Sequence, residues 1–512
     1  MRRAIFGPEA RFAGLILILM LIALFRGMDH DEGQYVGAVR LMHEGLPFRD
    51  FLYLQTPLQP LLFAPMAWIA QGWLYPALRL VNALCAAGAA LMTWKSVRLL
   101  GGSTRAATLT TLFMACCHSF LFSASLARND ALPLFLNAAG IWLFLLGWQK
   151  SGGRERRGVL LLLSGLAFGA AASAKISYAF PAAAAGLFAL MQTRRIGMAG
   201  LCAFALGGVG GVVPTVLLWW LAPEAAWFGM IDYSLEAPRQ WQALNNRAWM
   251  AQSGFSLFRL LLFLAQGPAL LALAAILRKR FAGHGEEEEK GGLPLFLDML
   301  ILAGLLAAWL PRPVYPQYLA PMLPALFVRL GPLLEELWQR RGRRVLFLAA
   351  MLIGVAETLV SVLPNLAHGR SPPLMASHTA HYIGCLVGDR KEAVIGLSPP
   401  HLVDSGRPFD RRFVTGPFAF RMRGLLTPDE EARFHILQST GFAAAFDRDP
   451  PAAIVVGTER KSRPGLSGGL DALLEQWARA RHYKPIPIEH AGLVLYLSDR
   501  ADGNGAMPSC PQ

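Results

Sequence analysis

The stretch that decides the fold is FAGLILILMLIALFRGMDHDEGQY, residues 12–35. Its first half is an apolar run, and residues 11–27 predict a first membrane-spanning helix. Three carboxylates, Asp29, Asp31 and Glu32, follow directly after the run. Charged groups are costly in hydrocarbon, so carboxylates at the mouth of a span are candidate functional groups. No small-residue cleavage site follows, which favours a retained span over a signal peptide.

The rest of the chain repeats this apolar pattern. Its 512 residues are 54% hydrophobic and 16% charged, with a mean hydropathy of +0.39, whereas soluble proteins average about 25% charged residues. Apolar runs recur as far as residue 363, and they predict a polytopic α-helical membrane protein with about 11 transmembrane helices. The predicted spans are 11–27, 76–97, 106–124, 131–149, 158–173, 176–192, 198–221, 256–277, 293–310, 316–333 and 345–363.

Basic residues mark every second loop between the predicted spans. Clusters such as Arg154–Arg157, Arg278–Arg280 and Arg340–Arg344 are typical of cytoplasmic loops. This alternation predicts a cytoplasmic N-terminus. It places three segments outside the cytoplasm: the loop that carries Asp29, Asp31 and Glu32 (the acidic loop), the loop at 223–252, and all residues after 363. The net charge of +14 lies mainly on these loops, so we expect no nucleic-acid partner. The Arg-, Ala- and Gly-rich composition suggests a bacterial inner membrane and a periplasmic C-terminus.

Residues 364–512 contain no run long enough to span a membrane. Short apolar runs at 392–397, 452–457 and 492–497 predict strands, and helical spacing marks 470–483. We therefore expect two domains, a transmembrane domain at 1–363 and an extracytoplasmic soluble α/β domain at 364–512. The pairing of Cys385 with Cys510 stays open, because two cysteines do not establish a disulfide.

An outer loop at 28–75 follows the first predicted span. Tyr35, Val36 and Val39 fall on one helical stripe, and Gly45 and Pro47 end it. This spacing predicts an amphipathic helix lying on the outer membrane face. The apolar piece at 61–70 is too short to span, and it predicts a second surface or re-entrant segment.

Several segments resemble, in order, the GT-C superfamily of membrane glycosyltransferases. The nearer likeness is to family 39 and its relatives, the protein mannosyltransferase and aminoarabinose transferase group. The residues that carry it are Asp31-Glu32-Gly33-Gln34-Tyr35, Gly45-Leu46-Pro47-Phe48-Arg49-Asp50, Thr56-Pro57-Leu58-Gln59-Pro60, Ala127-Arg128-Asn129-Asp130-Ala131, Gly165-Leu166-Ala167-Phe168-Gly169 with Ala174-Lys175, and Tyr315-Pro316-Gln317-Tyr318-Leu319-Ala320-Pro321. The resemblance implies an inverting transfer of a sugar from a polyprenyl-phosphate carrier to a lipid, polysaccharide or protein acceptor at the outer face.

The resemblance also implies that Asp31 acts on the acceptor. A hydroxyl or amine acceptor needs a base to take its proton, and Asp29 is the substitute for Asp31, with Glu32 orienting or capping. A structural alternative stays open at the same residues. Asp29 and Glu32 have the spacing of a helix capping box, and Asp31 would add charge at the helix N-terminus.

A second set of residues is expected to bind substrate. Lys175 lies between two apolar runs, where it either reaches the membrane interface or binds the lipid phosphate. Asp130 either caps the following span or helps to build the site. Aromatic residues near the outer interface, such as Tyr233 and Trp241, form an aromatic belt or stack on sugars. The expected substrate-binding residues are Asp130, Lys175, Arg128, Tyr35, Arg312 and Tyr318.

Metal dependence stays open. Some relatives carry a Glu-Lys pair where this chain has Leu54-Gln55-Thr56, so a divalent cation is a possible cofactor without an assigned ligand set. Two other functions also stay open, a multispan transporter or lipid-linked sugar flippase, and a non-enzymatic assembly protein. The charges gather at the outer mouth of the spans, and the spans show no inverted repeat, which favours the enzyme over the transporter.

Overall fold

The computed structural model describes residues 8–149, 153–281, 292–422, 424–459, 469–499 and 510. These residues are mainly helical, and four short strands lie near the C-terminus. The helices of ten or more residues are Pro8–Phe25, Glu32–Leu41, Leu74–Leu99, Thr104–Ala115, Ala131–Trp148, Arg154–Ala174, Ala179–Met191, Met198–Leu221, Tyr233–Leu244, Ser253–Ala265, Ala269–Phe281, Leu293–Trp309, Leu323–Gln339, Arg341–Ala367, Pro372–Val387 and Asp471–Ala480. Shorter helices include Leu58–Phe63, Met66–Ile69, His118–Ser125 and Pro417–Arg421.

Within the described ranges, five helices are long and apolar enough to cross a membrane by length and composition, and the number rises to seven if each of two bent pairs is one span. The bent pairs replace two expected continuous spans. Thr104–Ala115 and His118–Ser125 meet at 72°, and Ser253–Ala265 and Ala269–Phe281 meet at 96°. Gly267-Pro268 explains the second break, because proline cannot continue the helix ladder. The total of about 11 spans remains a prediction.

The chain divides into two compact units. The helical unit comprises the described residues of 1–26, 80–216 and 249–364, and the mixed unit comprises those of 27–79, 217–248 and 365–512. These units follow contacts within the chain, so they do not test the proposed boundary of the membrane domain at residue 363. Each unit is described separately below.

Glycines set the closest packing in the helical unit. Cβ atoms at Gly165 and Gly169 would collide with the backbone of 204–208, and one at Gly207 would collide with Leu162. Only residues without a side chain let helix backbones approach so closely within a membrane. The Gly-rich stretch at 207–211 is therefore a helix contact.

The mixed unit begins with the acidic loop and the helix Glu32–Leu41. The expectation of a surface amphipathic helix is wrong, because every residue of this helix except Arg40 is buried. A Cβ at Gly33 would touch Pro399, and one at Gly37 would touch Val414. These two small residues let the C-terminal segment cover the helix.

A four-stranded sheet completes the mixed unit, with strands β1 (Val394–Gly396), β2 (Ala453–Val456), β3 (Lys484–Ile488) and β4 (Leu493–Leu497). The strand order is β1-β2-β4-β3. Only β1 and β2 are parallel, and the other pairs are antiparallel. Strand β3 was not predicted because it carries Pro485 and Pro487, which are tolerated only at a sheet edge. Cys385 and Cys510 form a disulfide.

Candidate functional site

The acidic loop of the mixed unit brings three potential ligand groups together. Ligand atoms of Asp29, His30 and Asp31 all lie within 4.8 Å of one another. The Asp31 amide donates to Asp29 Oδ1 at 2.9 Å, and His30 Nε2 lies 3.0 Å from Asp31 Oδ1. The loop is thus a turn closed by its own side chains, with its two aspartates partly exposed.

Glu32 anchors this loop through a buried ion pair. Its carboxylate accepts hydrogen bonds from Arg79 Nε at 2.8 Å, Arg79 Nη2 at 2.6 Å and the Tyr75 hydroxyl at 2.9 Å. Glu32 and Arg79 are both 0% exposed. Arg79 Nη2 also donates to the Gly27 carbonyl at 3.1 Å. A bidentate, fully buried ion pair therefore holds both ends of the acidic loop.

The capping alternative is only half present. Glu32 Oε2 accepts from the Asp29 amide at 2.9 Å, as a capping box requires. The Glu32 amide, however, donates to the Asp29 backbone carbonyl at 3.1 Å, and the Asp29 side chain accepts from the Asp31 amide. Asp31 occupies the N-cap position of the helix Glu32–Leu41 without a side-chain cap hydrogen bond. Capping therefore does not account for the Asp31 carboxylate, which instead contacts His30 Nε2 at 3.0 Å.

The charge state of His30 depends on its neighbours in the loop. Burial lowers its pKa, but the hydrogen bond and charge of Asp31 outweigh that effect, and the net pKa of His30 is raised above 6.5. Arg421 opposes this increase and Asp29 adds to it. A protonated His30 would form an ion pair with Asp31 and reduce its capacity to accept a proton.

The helical unit contains a second charged group, centred on Asp130. Its carboxylate is 1% exposed and accepts from Arg128 Nε at 3.1 Å, while Lys175 Nζ contacts its other oxygen. The Asn82 side chain donates to the carbonyls of Leu126 at 2.6 Å and Arg128 at 2.7 Å. One carboxylate therefore holds two buried cations. The loop that carries Asp130 is fixed by Asn82 of the helix Leu74–Leu99.

Three orphaned polar groups lie in the turns beside Lys175 and Tyr318. The hydroxyls of Ser177 and Tyr178 and the carbonyl oxygen of Gln317 are buried and have no hydrogen-bond partner within the described ranges. Lys175 Nζ lies 5.8 Å from the centre of the Tyr318 ring. Buried polar groups are normally satisfied by protein, water or ligand, so these turns are suited to a polar ligand. Sequence reasoning missed Asn82, Ser177 and Tyr178, which no motif marks, and it included Gln317 only as part of the segment Tyr315–Pro321, without a role.

Two other expected substrate-binding residues lie beside aromatic rings. Tyr35 is 2% exposed and lies in the core of the mixed unit, with its ring 6.3 Å from that of Tyr53. This placement supports a packing role. Arg312 is half-buried and lies over the Trp309 ring at 5.6 Å, which leaves its proposed role in substrate binding without structural support.

The loop chemistry is compatible with a divalent cation. Two carboxylates and one imidazole are ligands that several divalent metals accept, and they are contiguous at Asp29, His30 and Asp31. These three residues therefore fit a divalent-cation site in which water or substrate would supply the remaining ligands.

Comparisons with known proteins extend these observations. A family model for dolichyl-phosphate-mannose-protein mannosyltransferase matches residues 65–197. The fold is similar to that of ArnT from Cupriavidus metallidurans in the apo state, with a TM-score of 0.63, 15% sequence identity and coverage of 96% of this chain and 98% of that chain. It is also similar to ArnT from the same organism bound to undecaprenyl phosphate, with a TM-score of 0.61, 15% identity and coverage of 97% and 99%.

A weaker match is the oligosaccharyltransferase of Archaeoglobus fulgidus, with a TM-score of 0.49, 12% identity and coverage of 88% of this chain and 70% of that chain. That value is too low to support an argument. No curated protein sequence matches the chain. The predicted resemblance to GT-C glycosyltransferases is confirmed by the family match and by the ArnT-like fold.

Proposed function

We propose that this protein is an inverting membrane glycosyltransferase that moves a sugar from a polyprenyl-phosphate carrier to a lipid, glycan or protein acceptor. The observation that carries the proposal is the ArnT-like fold over 96% of the chain, together with the two carboxylates that Asp29 and Asp31 bring together on one loop. One solved ArnT structure is bound to undecaprenyl phosphate, which supports the same class of donor here. The sugar remains unassigned.

In this proposal Asp31 is the general base. Its carboxylate takes the proton from the acceptor hydroxyl or amine, and the acceptor atom forms a bond to the anomeric carbon. The bond between that carbon and the phosphate oxygen breaks, and polyprenyl phosphate leaves with the electron pair. Asp29 orients the loop through the Asp31 amide. Glu32 is a positioning residue, because it is fully buried and paired with Arg79.

Lys175 and Arg128 are proposed to stabilise the phosphate. Both are buried cations held by Asp130, and charge-assisted contacts to phosphate are stronger than neutral hydrogen bonds. Asp130 keeps the two cations in place. The hydroxyls of Ser177 and Tyr178 are candidate donors to the same ligand, since both are buried without a partner in the described part of the chain.

A divalent cation, if required, would be held by Asp29, His30 and Asp31. It would supply electrostatic stabilisation of charge on the leaving phosphate. Ligation by Asp31 and proton acceptance by Asp31 are competing roles, and a chelator separates them. Turnover that persists after chelation assigns the base role, whereas turnover restored only by added metal assigns ligation.

Action at the outer face of a bacterial inner membrane is part of the proposal. The Cys385–Cys510 disulfide supports it, because disulfides persist in the periplasm and are rare in the cytosol. The basic loops between the predicted spans give the same orientation. These two arguments support a periplasmic location of the C-terminal residues.

The proposal is tested with the full chain in liposomes. Defined polyprenyl-phosphate sugars are added with a mixture of candidate lipid, glycan and peptide acceptors, and release of free polyprenyl phosphate is measured. Release from at least one donor supports the transferase. Movement of intact lipid-linked sugar between leaflets without release would instead establish the flippase, which the two bent helix pairs make a reasonable comparison.

A further inference from the structure

A surface of aromatic rings adjoins the acidic loop within the mixed unit. The His30 ring lies 6.2 Å from that of Phe418, and the Phe418 ring lies 6.1 Å from that of Tyr233. The Arg421 guanidinium carbon lies 5.3 Å from the centre of Phe418 and 5.1 Å from the centre of Trp241. We call Tyr233, Trp241, Phe418 and Arg421 the aromatic platform.

Arg421 gives the platform its polar character. One end of its guanidinium donates to Glu459 at 3.2 Å, and the group lies between two rings that favour a cation. Its Nε is buried and has no hydrogen-bond partner in the part of the chain that the structure describes. A buried N–H without a partner is unfavourable, so an oxygen of a bound molecule would complete it.

The platform residues remain reachable. Tyr233, Trp241, Phe418 and Arg421 are all partly exposed, whereas the neighbouring ring of Phe413 is fully buried in the core. The residues come from two separate helices, Tyr233–Leu244 and Pro417–Arg421. The partly exposed rings of these two helices adjoin the partly exposed carboxylates of Asp29 and Asp31. Such a combination is typical of a ligand site and not of a hydrophobic core.

This combination suits a sugar ring. Aromatic faces pack against the apolar C–H face of a pyranose, while guanidinium and carboxylate groups hydrogen-bond its hydroxyls. A membrane-interface belt would account for exposed Tyr233 and Trp241. It would not account for a guanidinium held between two rings with its Nε buried and unpaired.

We propose that the aromatic platform binds a sugar ring of the acceptor, so that the acceptor is a glycan or glycolipid rather than a protein. The assignment to the acceptor rests on the proposed function, because the platform adjoins Asp31, the proposed base. The His30 ring contacts both the Phe418 ring and the Asp31 carboxylate, and it therefore links the platform to the proposed base. A sugar held there would present a hydroxyl to the base.

The first test measures binding without turnover. Methyl glycosides of glucose, mannose and galactose, with N-acetylglucosamine, are titrated into the full chain in nanodiscs and followed by saturation-transfer NMR. Arg421→Met is expected to weaken binding by at least about tenfold. Arg421→Lys keeps the charge but loses Nε, and it should recover only part of the binding. Trp241→Leu should also weaken binding.

Arg481→Met is the matched control, because Arg481 lies over Trp477 at 4.4 Å and pairs with Asp447. It should leave sugar binding unchanged. Equal NMR signals in the wild type and Arg421→Met, or the same loss in Arg481→Met, would overturn the platform. Thermal unfolding of each variant establishes that it is folded.

The second test assigns the sugar to the acceptor. The glycoside that binds best serves as acceptor in the liposome assay, and KM is measured separately for donor and acceptor. Arg421→Met is expected to raise the acceptor KM about tenfold or more while the donor KM is unchanged. A rise in donor KM alone would overturn the acceptor assignment. If the wild type releases no polyprenyl phosphate, the proposed function fails, and the NMR result still decides the platform.

Discussion

Removing the charge of Arg79 should destabilise the protein more than any exposed ion pair does. Arg79 makes four hydrogen bonds, two to the Glu32 carboxylate, one to the Tyr75 hydroxyl and one to the Gly27 carbonyl. The substitution Arg79→Met leaves the Glu32 carboxylate fully buried without its cation. Breaking a buried pair from one side costs about 3–5 kcal/mol.

This cost should be visible as a shift in melting temperature. A unit of about 150–250 residues loses roughly 2–4 °C per kcal/mol, so we expect Tm to fall by about 6–20 °C. The double variant Arg79→Met with Glu32→Gln should recover at least half of the loss, because no buried charge remains. Turnover should fall in the single variant, since Glu32 also holds the Asp29 amide.

Tm is measured by thermal unfolding in detergent, with Arg40→Met as the matched control. Arg40 pairs with Glu44 at 3.0 Å in the same unit, but both side chains are partly exposed. Exposed helix pairs contribute about 0.3–0.5 kcal/mol, so this variant should melt within about 2 °C of the wild type. The reasoning is refuted if Arg79→Met has the same Tm as Arg40→Met, or if the double variant has a lower Tm than Arg79→Met alone.

Three further predictions concern charge, donor binding and the disulfide. The raised pKa of His30 means that its contribution to stability is fully present below about pH 6.5 and is lost as pH rises through the folded-state pKa. Because His30 is exposed, we expect less than about 1 kcal/mol, and a His30→Gln variant with an unchanged profile of Tm against pH would contradict this. Lys175→Gln should raise the donor KM about 10–100-fold; an unchanged KM would remove Lys175 from the phosphate site. Replacing Cys385 and Cys510 by serine should cost about 2–4 kcal/mol, and dithiothreitol should shift the wild-type Tm to the same value; a reductant without effect would argue against the disulfide.

Hydropathy and charge patterns predicted most helix positions but not how helices end and bend. The expected spans at 131–149 and 198–221 correspond to Ala131–Trp148 and Met198–Leu221, because each is one apolar run between polar loops. The expected span at 106–124 is broken at Cys116-Cys117, where neither Gly nor Pro marks the sequence. Its break is held by the His118 amide, which donates to the Gln266 carbonyl at 3.0 Å. Such a contact between distant segments has no local sequence signal.

The candidate site was predictable only where charge stands out from an apolar background. Asp29, Asp31 and Lys175 are conspicuous for this reason. Arg79 was hidden inside a predicted span, where nothing in the sequence indicates that it pairs with Glu32 across the loop. Arg421 belongs to a segment that the resemblance does not cover, so its place beside His30 required the structure.

The most direct test of the central claim compares wild type, Asp31→Asn and Asp29→Asn for release of polyprenyl phosphate in liposomes. Donor binding is measured in parallel, so that a loss of chemistry is distinguished from a loss of affinity. The account predicts that Asp31→Asn loses turnover by at least about a hundredfold with donor binding intact, as removal of a general base requires. Asp29→Asn should lose less. Normal turnover by Asp31→Asn would contradict the account and remove the acidic loop as the source of the base.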